Sequence, residues 1–183
     1  PTILCVASAP TEYPPAFFVN GVAVILADPK LNPFDPMAGH KTLNYWSRLR
    51  VLAEAAQRGA GEALWFSVSN HLAGGSVSNV ILVKDGQLST PFARGEEPDA
   101  SLPSPILPGI TRAAVLELAE EADLPVHRKM LSITDVLEAD EVMLTNSSWQ
   151  ILPVVQVEKE KIGEGVPGPI TRDLRDKLLK LIE

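Results

Sequence analysis

Hydrophobic and polar positions along the chain follow two different periods, and each predicts one kind of element. Apolar residues recur at helical spacing between residues 42 and 58, at positions 43, 46, 49, 52, 53 and 56. We therefore predict a helix there, with Gly59 in the place of a C-terminal cap. The same spacing predicts helices over residues 110–123 and 169–182.

Runs rich in Val, Ile and Phe predict strands instead. The predicted strands cover residues 2–8, 17–27, 63–68, 79–83, 87–91, 125–130, 141–145 and 151–157. Asp85-Gly86 separates two of these runs and predicts a hairpin turn. Ser132 and Asp135 stand at capping-box spacing and predict a short helix. Because hairpins occur beside strands that alternate with helices, the fold class is a mixed α/β (α+β) domain.

Prolines mark the predicted loops. Residues 28–40 carry three prolines, and residues 93–108 form a long, acidic, proline-rich stretch. Within it, residues 93–104 read as a solvated insertion, with a lid or a protease-sensitive tip as alternatives. The segment GEGVPGP predicts a turn.

Composition narrows the possible partners. The 183 residues are 45% hydrophobic and 21% charged, as in a globular protein, and the net charge is −7. This negative charge disfavours a nucleic-acid or anionic-membrane partner. No apolar run reaches the about 20 residues that a membrane helix needs. The single cysteine, Cys5, cannot form an internal disulfide, so we expect a reducing compartment and a cytoplasmic protein.

Several kinds of chemistry find no support in the motifs. The three histidines and Cys5 show no metal-ligand spacing, so we expect no zinc site. No G-x-G-x-x-G stands directly after a predicted strand, and neither G-x-x-x-x-G-K-[ST] nor G-x-S-x-G is present. Pro1 opens directly into the apolar run ILCVA, from which we expect a fragment that begins within a fold.

Four segments in the same order resemble the class IV aminotransferases, pyridoxal 5′-phosphate (PLP) enzymes of fold type IV. The family includes branched-chain and D-amino-acid aminotransferases and aminodeoxychorismate lyase. The segments are HKTLNYW, GGSVSNVILVKDGQLSTP, ILPGITR, and ADEVMLTNSSWQILPV followed by IGEGVPGPIT. The resemblance runs from about Asn20 to the C-terminus.

The resemblance implies a domain organisation and partners. Residues 20–183 would form the large C-terminal PLP-binding domain of the D-amino-acid aminotransferase-like fold. Residues 1–19 would form an inter-domain segment and a first strand, and the family's small N-terminal domain has no counterpart here. The expected partners are a small-molecule amino acid and a 2-oxo acid, and the full-length protein is expected to be a homodimer.

The resemblance also assigns a covalent cofactor site. Lys41 corresponds to the family's Schiff-base lysine, whose amine becomes a nucleophile when burial lowers its pKa. The alternative is a solvated surface lysine. Tyr45, one turn further if the helix has begun, corresponds to the tyrosine beside the cofactor's phenolic oxygen. The alternative for Tyr45 is an aromatic side chain packed in the core.

Two further segments correspond to phosphate-binding positions of the family. Gly109, Ile110 and Thr111 begin a helix whose free N–H groups and dipole suit a phosphate. An ordinary helix start is the alternative. Ser147 and Ser148 correspond to the loop that holds the phosphate and the substrate carboxylate through hydroxyl and N–H groups. A polar turn between two strands is the alternative here.

One departure from the family concerns the acid that pairs with the cofactor's ring nitrogen. Counting back from Asn79 places Gly74 where the family carries a glutamate. That acid keeps the ring protonated and electron-withdrawing. Ser76 and His71 are the nearest polar candidates to replace it. The other departure is the missing front domain. Arg48 and Arg50 do not replace it, because they lie on the predicted helix, where we expect surface or interface residues.

The leading function is therefore a PLP-dependent class IV aminotransferase that moves an amino group between an amino acid and a 2-oxo acid. Branched-chain amino acids are among the candidate substrates. Two alternatives stay open at this point: 4-amino-4-deoxychorismate lyase, and a catalytically degenerate member of the family, which the glycine at position 74 favours.

Overall fold

The computed structural model describes residues 2–98 and 103–182. Within these ranges the chain forms five helices and nine strands. The helices are α1 Pro15–Asn20, α2 Trp46–Gln57, α3 Ile110–Glu121, α4 Ile133–Leu137 and α5 Pro169–Ile182. The strands are β1 Val22–Leu26, β2 Glu62–Phe66, β3 Leu72–Gly75, β4 Asn79–Lys84, β5 Gln87–Thr90, β6 Val126–Arg128, β7 Glu141–Asn146, β8 Gln150–Val157 and β9 Glu160–Lys161. In this described part, no helix combines the length and the apolar character that crossing a membrane requires.

All described strands join one mixed sheet. Its order is β3-β2-β1-β8-β7-β4-β5-β6, and β9 pairs with β8. The pairs β1–β2, β1–β8 and β5–β6 are parallel, whereas β4 pairs with both β5 and β7 in antiparallel fashion. The mixed α/β class predicted from the sequence is confirmed.

The sheet buries both of its faces, which explains why its strands read as continuous apolar runs. Along β4, Val80 and Leu82 enter one core cluster, and Ile81 and Val83 enter another. The second cluster also contains buried side chains of α3 and α5. Helix α2 packs onto β1 and β2 in a third cluster: Ile25, Ala27, Val51, Ala55, Ala63 and Trp65.

Several local predictions are confirmed. Asp85 and Gly86 form the hairpin turn between β4 and β5, both with positive φ. Gly59 follows the last turn of α2 with φ +75°, the left-handed conformation expected of a glycine cap. Ser132 and Asp135 form a complete capping box at the start of α4.

The first two predicted strands are wrong. Residues 2–8 enter no strand, and Ile3 and Leu4 are 86% and 85% exposed, because apolar character alone supplies no pairing partner. Residues 17–27 do not form one strand either. Gly21, with φ +75°, separates α1 from β1, and the two prolines before Ala16 favour a helix start.

Two other predicted boundaries shift. Helix α2 begins at Trp46 rather than at position 42, so Lys41 and Tyr45 precede it instead of sharing a helical turn. The strand predicted over residues 125–130 shortens to Val126–Arg128. Of the predicted insertion over residues 93–104, residues 99–102 lie outside the described ranges.

Candidate active site

A cleft of about 630 Å³ opens where α2 and α3 begin. Its lining comes from residues 31–48, 73–79, 105–111 and 145–148, together with Tyr13. The cleft brings together all seven residues that the sequence predicts to hold a cofactor: Lys41, Tyr45, Gly109, Ile110, Thr111, Ser147 and Ser148. Four chain segments far apart in sequence therefore converge on one site. In the described ranges, no three His, Cys, Asp or Glu side chains gather as metal ligands would.

The segment before α2 carries the reactive amine. Lys41 is exposed and lines the cleft. Tyr45 is half-buried, and its N–H donates to the carbonyl of Leu43 at 2.9 Å. The amine is therefore accessible to a ligand.

The start of α3 is shaped as an anion site. Gly109 is the N-cap residue and has no side chain to cap the helix, so the first N–H groups lack intrahelical partners. A Cβ at position 109 would overlap the Oδ1 of Asn79. The Nδ2 of Asn79 donates to the carbonyl of Leu107 at 2.9 Å and holds this turn in place. Asn79 thus supports the turn that leads into α3, a role that the sequence did not reveal.

A buried arginine anchors the first turn of α3. Arg112 is 2% exposed, and its guanidinium donates to both carboxylate oxygens of Glu96, at 2.9 and 2.7 Å. It also donates to the Thr90 hydroxyl at 3.1 Å and to the Pro91 carbonyl at 3.0 Å. Burial by itself would raise the pKa of Glu96, but hydrogen bonds from Arg112 and Ala93, with the charge of Arg112, lower the pKa overall. The helix start is therefore tied to the end of β5.

The turn between β7 and β8 supplies hydroxyl groups. Ser147 and Ser148 are both exposed at the cleft. The Oδ1 of Asn146 accepts the N–H groups of Ser148 at 2.9 Å and Trp149 at 3.0 Å. The N–H of Ser148 already has an acceptor here, so the predicted role of the two serines in binding an anion stays a prediction that rests on their hydroxyl groups. The hydroxyl groups keep the predicted placement.

A buried glutamate holds the wall of the cleft formed by residues 75–78. The Oε1 of Glu62 accepts the N–H of Ser76 at 3.1 Å, and its Oε2 accepts the N–H of Val77 at 3.2 Å and the Ser78 hydroxyl at 3.2 Å. Burial raises the pKa of Glu62, and the hydrogen bonds from the Ala63 N–H, the Val77 N–H and Ser76 oppose that rise. The sequence reasoning missed Glu62, although a glutamate opening a fully apolar run was the available signal.

Arg48, expected to be a surface or interface residue, is only partly exposed, and its side chain reaches the cleft wall. Its Nη1 donates to the carbonyls of Gly75 at 2.9 Å and Ser76 at 3.2 Å. The guanidinium carbon lies 5.8 Å from the ring centre of Tyr45 and 5.4 Å from that of Trp65. Burial lowers the pKa of Arg48, which Tyr45 and Glu62 oppose. Only one helical face reaches the cleft wall, so Arg50 stays exposed as predicted.

Gly74 lies within β3, opposite Trp65 of β2. Its φ is +136°, a conformation that side chains rarely adopt, and a Cβ there would lie 2.8 Å from the carbonyl oxygen of Ser78. The backbone at position 74 therefore suits glycine and does not accommodate an acid without strain. The neighbouring Ser76 hydroxyl accepts the indole N–H of Trp65 at 3.0 Å.

Comparisons with known proteins agree with this geometry. The amino-transferase class IV family matches residues 2–157. A branched-chain-amino-acid aminotransferase of Escherichia coli K12 is 34% identical over 146 residues, covering 80% of this chain and 44% of that protein. The chain thus spans less than half the length of that relative.

Solved structures show the same fold. A branched-chain amino acid aminotransferase structure from Escherichia coli superposes with a TM-score of 0.82 at 30% identity, over 94% of this chain and 55% of that one. The enzyme from Thermobaculum terrenum, solved in its PLP form, superposes with a TM-score of 0.77 at 30% identity, over 88% and 50%. Together with the family match, these likenesses show that the chain belongs to the class IV aminotransferases.

Proposed function

We propose that this chain is the cofactor-binding part of a PLP-dependent aminotransferase, which moves an amino group between an amino acid and a 2-oxo acid. The observation that carries the proposal is the convergence of Lys41, the uncapped start of α3 and the Ser147 hydroxyl on one cleft. A covalent amine and an anion site in one cavity match a phosphorylated aldehyde cofactor.

The residues present fit PLP. The cleft volume of about 630 Å³ lies in the range of cofactor sites. Position 109 at the helix start requires glycine in this arrangement, since a Cβ there would overlap Asn79. We assign the phosphate to the N–H groups of Ile110 and Thr111 with the hydroxyls of Thr111, Ser147 and Ser148. The helix dipole favours a dianion at this end.

The remaining cleft residues then have distinct tasks. Lys41 would hold the cofactor covalently through its Nζ, and the amine, once the substrate's amino group has replaced it there, would carry the proton removed from the substrate's α-carbon. Tyr45 would donate a hydrogen bond to the ring's phenolic oxygen. Bound PLP supplies an electron-withdrawing ring that stabilises negative charge at that carbon.

We further propose that residues 20–183 act as a C-terminal PLP-binding domain within a cytoplasmic homodimer. Exposed apolar side chains around the cleft support a covering partner. Leu43, Trp46 and Ile110 are 103%, 76% and 84% exposed, although each lies in a segment that lines the cleft. Apolar surface of this kind marks sites that another surface covers.

Gly74 favours a second candidate, a family member that binds PLP but turns over slowly. The backbone there leaves no space for an acid side chain. A ring nitrogen without an acid partner withdraws electrons less strongly, which slows removal of the α-proton.

The deciding experiment is a PLP titration of the chain followed by absorption in the visible range, before and after borohydride, with peptide mapping. We expect a reducible band and a single modified peptide that contains Lys41. Failure to form the band, or modification at another lysine, contradicts the assignment. Addition of amino acids with a 2-oxo acid then tests turnover, and pyruvate released without an acceptor would indicate lyase activity instead.

Lys30→Ala is the matched control for Lys41→Ala. Lys30 is an exposed lysine next to a segment that lines the cleft, and its Nζ lies 5.1 Å from the ring centre of Phe66. We expect Lys30→Ala to retain the band and Lys41→Ala to lose it. Loss in both variants would point to a general effect on folding, which the unfolding midpoint measures directly.

A further inference from the structure

Arg48 is held at the cleft wall by two kinds of contact. Its Nη1 donates to the carbonyls of Gly75 and Ser76, at 2.9 and 3.2 Å, and its guanidinium carbon lies 5.8 Å from the ring centre of Tyr45 and 5.4 Å from that of Trp65. These contacts fix both the position and the orientation of the guanidinium. A cation placed in this way is preorganised toward whatever occupies the cleft.

The same side chain has further hydrogen-bond donors, on Nε and Nη2. An arginine carries donors on Nε and both Nη atoms. Within the part of the chain that the structure describes, only Nη1 of Arg48 donates to protein groups, and Arg48 lines the cleft. The Nε and Nη2 donors are therefore available to a ligand.

The carboxylates of the described cleft lining and of its wall are not available to protonate a ligand. Asp35 is the one acidic residue of the described cleft lining, and its Oδ1 already accepts the Met37 N–H at 2.9 Å. Glu62 lies behind the wall, where donors from Ala63 and residues 76–78 occupy both of its oxygens. Position 74 has no side chain. The cleft wall beside β3 therefore presents a cation where an acid would be needed to protonate a ligand.

Resting on the proposed function, we infer that Arg48 donates a hydrogen bond to the ring nitrogen of bound PLP and keeps that nitrogen unprotonated. The phosphate, the covalently bound carbon and the phenolic oxygen of the cofactor are assigned to α3, Lys41 and Tyr45. The ring nitrogen is its remaining polar atom, and Arg48 is the remaining charged donor beside Tyr45. A guanidinium does not release its proton in proteins, so the nitrogen acts as an acceptor.

The consequence is a cofactor with a weaker electron sink. A neutral ring stabilises negative charge at the substrate's α-carbon less than a protonated ring does. Arg48 would then set the rate of the proposed reaction and hold the cofactor in place at the same time. We therefore expect the chain to bind PLP but to turn over slowly, as in the second candidate under the proposed function.

The test is nitrogen NMR of the chain loaded with PLP that carries ¹⁵N in the ring. We expect the chemical shift of an unprotonated pyridine nitrogen across neutral pH. A shift typical of a protonated ring in the wild-type chain overturns this inference alone, since loading would still support the proposed function. A chain that does not load PLP overturns both. The wild-type signal decides even if variants of Arg48 fold poorly.

Variants sharpen the same measurement. Arg48→Glu places an acid on the same helix, and we expect the ring signal to move toward the protonated position. Arg48→Met removes the donors, and we expect weaker PLP binding by about tenfold, the effect of losing one charge-assisted hydrogen bond. Arg50→Met removes the same charge from the exposed face of α2 and is the matched control. An equal change in Arg50→Met, or none in the Arg48 variants, contradicts the assignment.

Discussion

Asn79 and Gly109 are in direct contact across the base of the cleft, so that the amide oxygen of Asn79 occupies the space of a side chain at position 109. The other end of the same amide holds the carbonyl of Leu107 at 2.9 Å. One strand residue therefore holds the path of the chain into α3 and fills the space that a side chain at position 109 would need. The glycine is required by a neighbour that is 30 residues away in sequence.

Gly109→Ala should weaken PLP binding strongly, because the added methyl group must displace either Asn79 or the helix start. We expect a loss of about tenfold or more, as for overpacking of a rigid site. The measurement is the PLP dissociation constant from the visible band.

Asn79→Ala tests the cause. It removes the atom that the new methyl group would strike, so the double variant should lose less affinity than the sum of the two single losses. Strictly additive losses would show that the two positions act independently.

Arg112→Met should destabilise the chain, since it removes the guanidinium donor of the Thr90 hydroxyl. It also leaves the Glu96 carboxylate only one guanidinium contact, the longer one of 3.4 Å with the Nε of Arg128. Breaking a buried pair costs about 3 kcal/mol or more, and we expect the lower end because the Glu96 side chain is 26% exposed. Urea unfolding measures this change. Lys177→Met, which breaks the exposed pair with Asp173, should cost about 0.5 kcal/mol or less. Similar costs for both would refute the anchoring role of Arg112.

Asp135 should make stability depend on pH. The Ser132 hydroxyl and then the Ser132 N–H donate to its carboxylate and lower the pKa of Asp135. A lowered folded-state pKa means that the stabilisation is present above the ordinary aspartate pKa and is lost as the pH falls through the folded value.

Asp135→Asn should therefore cost about 1 kcal/mol at neutral pH and progressively less in acid. Unfolding free energies between neutral pH and pH about 3 check this. Ser132→Ala, which removes the donor hydroxyl, should show the same convergence with the wild type. A difference that stays constant with pH would rule out the capping carboxylate as its cause.

Gly74→Glu should not restore a working acid in this backbone. With φ +136° and the Ser78 oxygen 2.8 Å from the new Cβ, we expect a destabilisation of about 1–3 kcal/mol and no gain in turnover. Gly74→Ala should cost the same, because both add a Cβ. Gly86→Ala, at φ +74° with open space around it, is a control for the conformational strain alone. A stable Gly74→Glu chain with faster turnover would show that β3 can rearrange.

The sequence predicted most of the regular elements because their signals are local. The periodic apolar pattern identified α3 and α5, and the Asp85-Gly86 turn and the Ser132 capping box each depend on residues within a few positions of one another. The strand predicted over residues 2–8 is wrong for the opposite reason. A strand needs a pairing partner, and the apolar composition of a segment carries no information about one.

By itself, the sequence determined the mixed α/β class, the likeness to the class IV aminotransferases and seven of the residues that line the cleft. Motifs in the right order carry that information, whatever their distances in space. Only the tertiary structure decided the roles of Arg48, Glu62 and Asn79, since each acts on backbone or side-chain atoms 14 or more residues away. It also decided why position 74 is glycine, because φ and the proximity of the Ser78 oxygen result from how β3 and β4 meet.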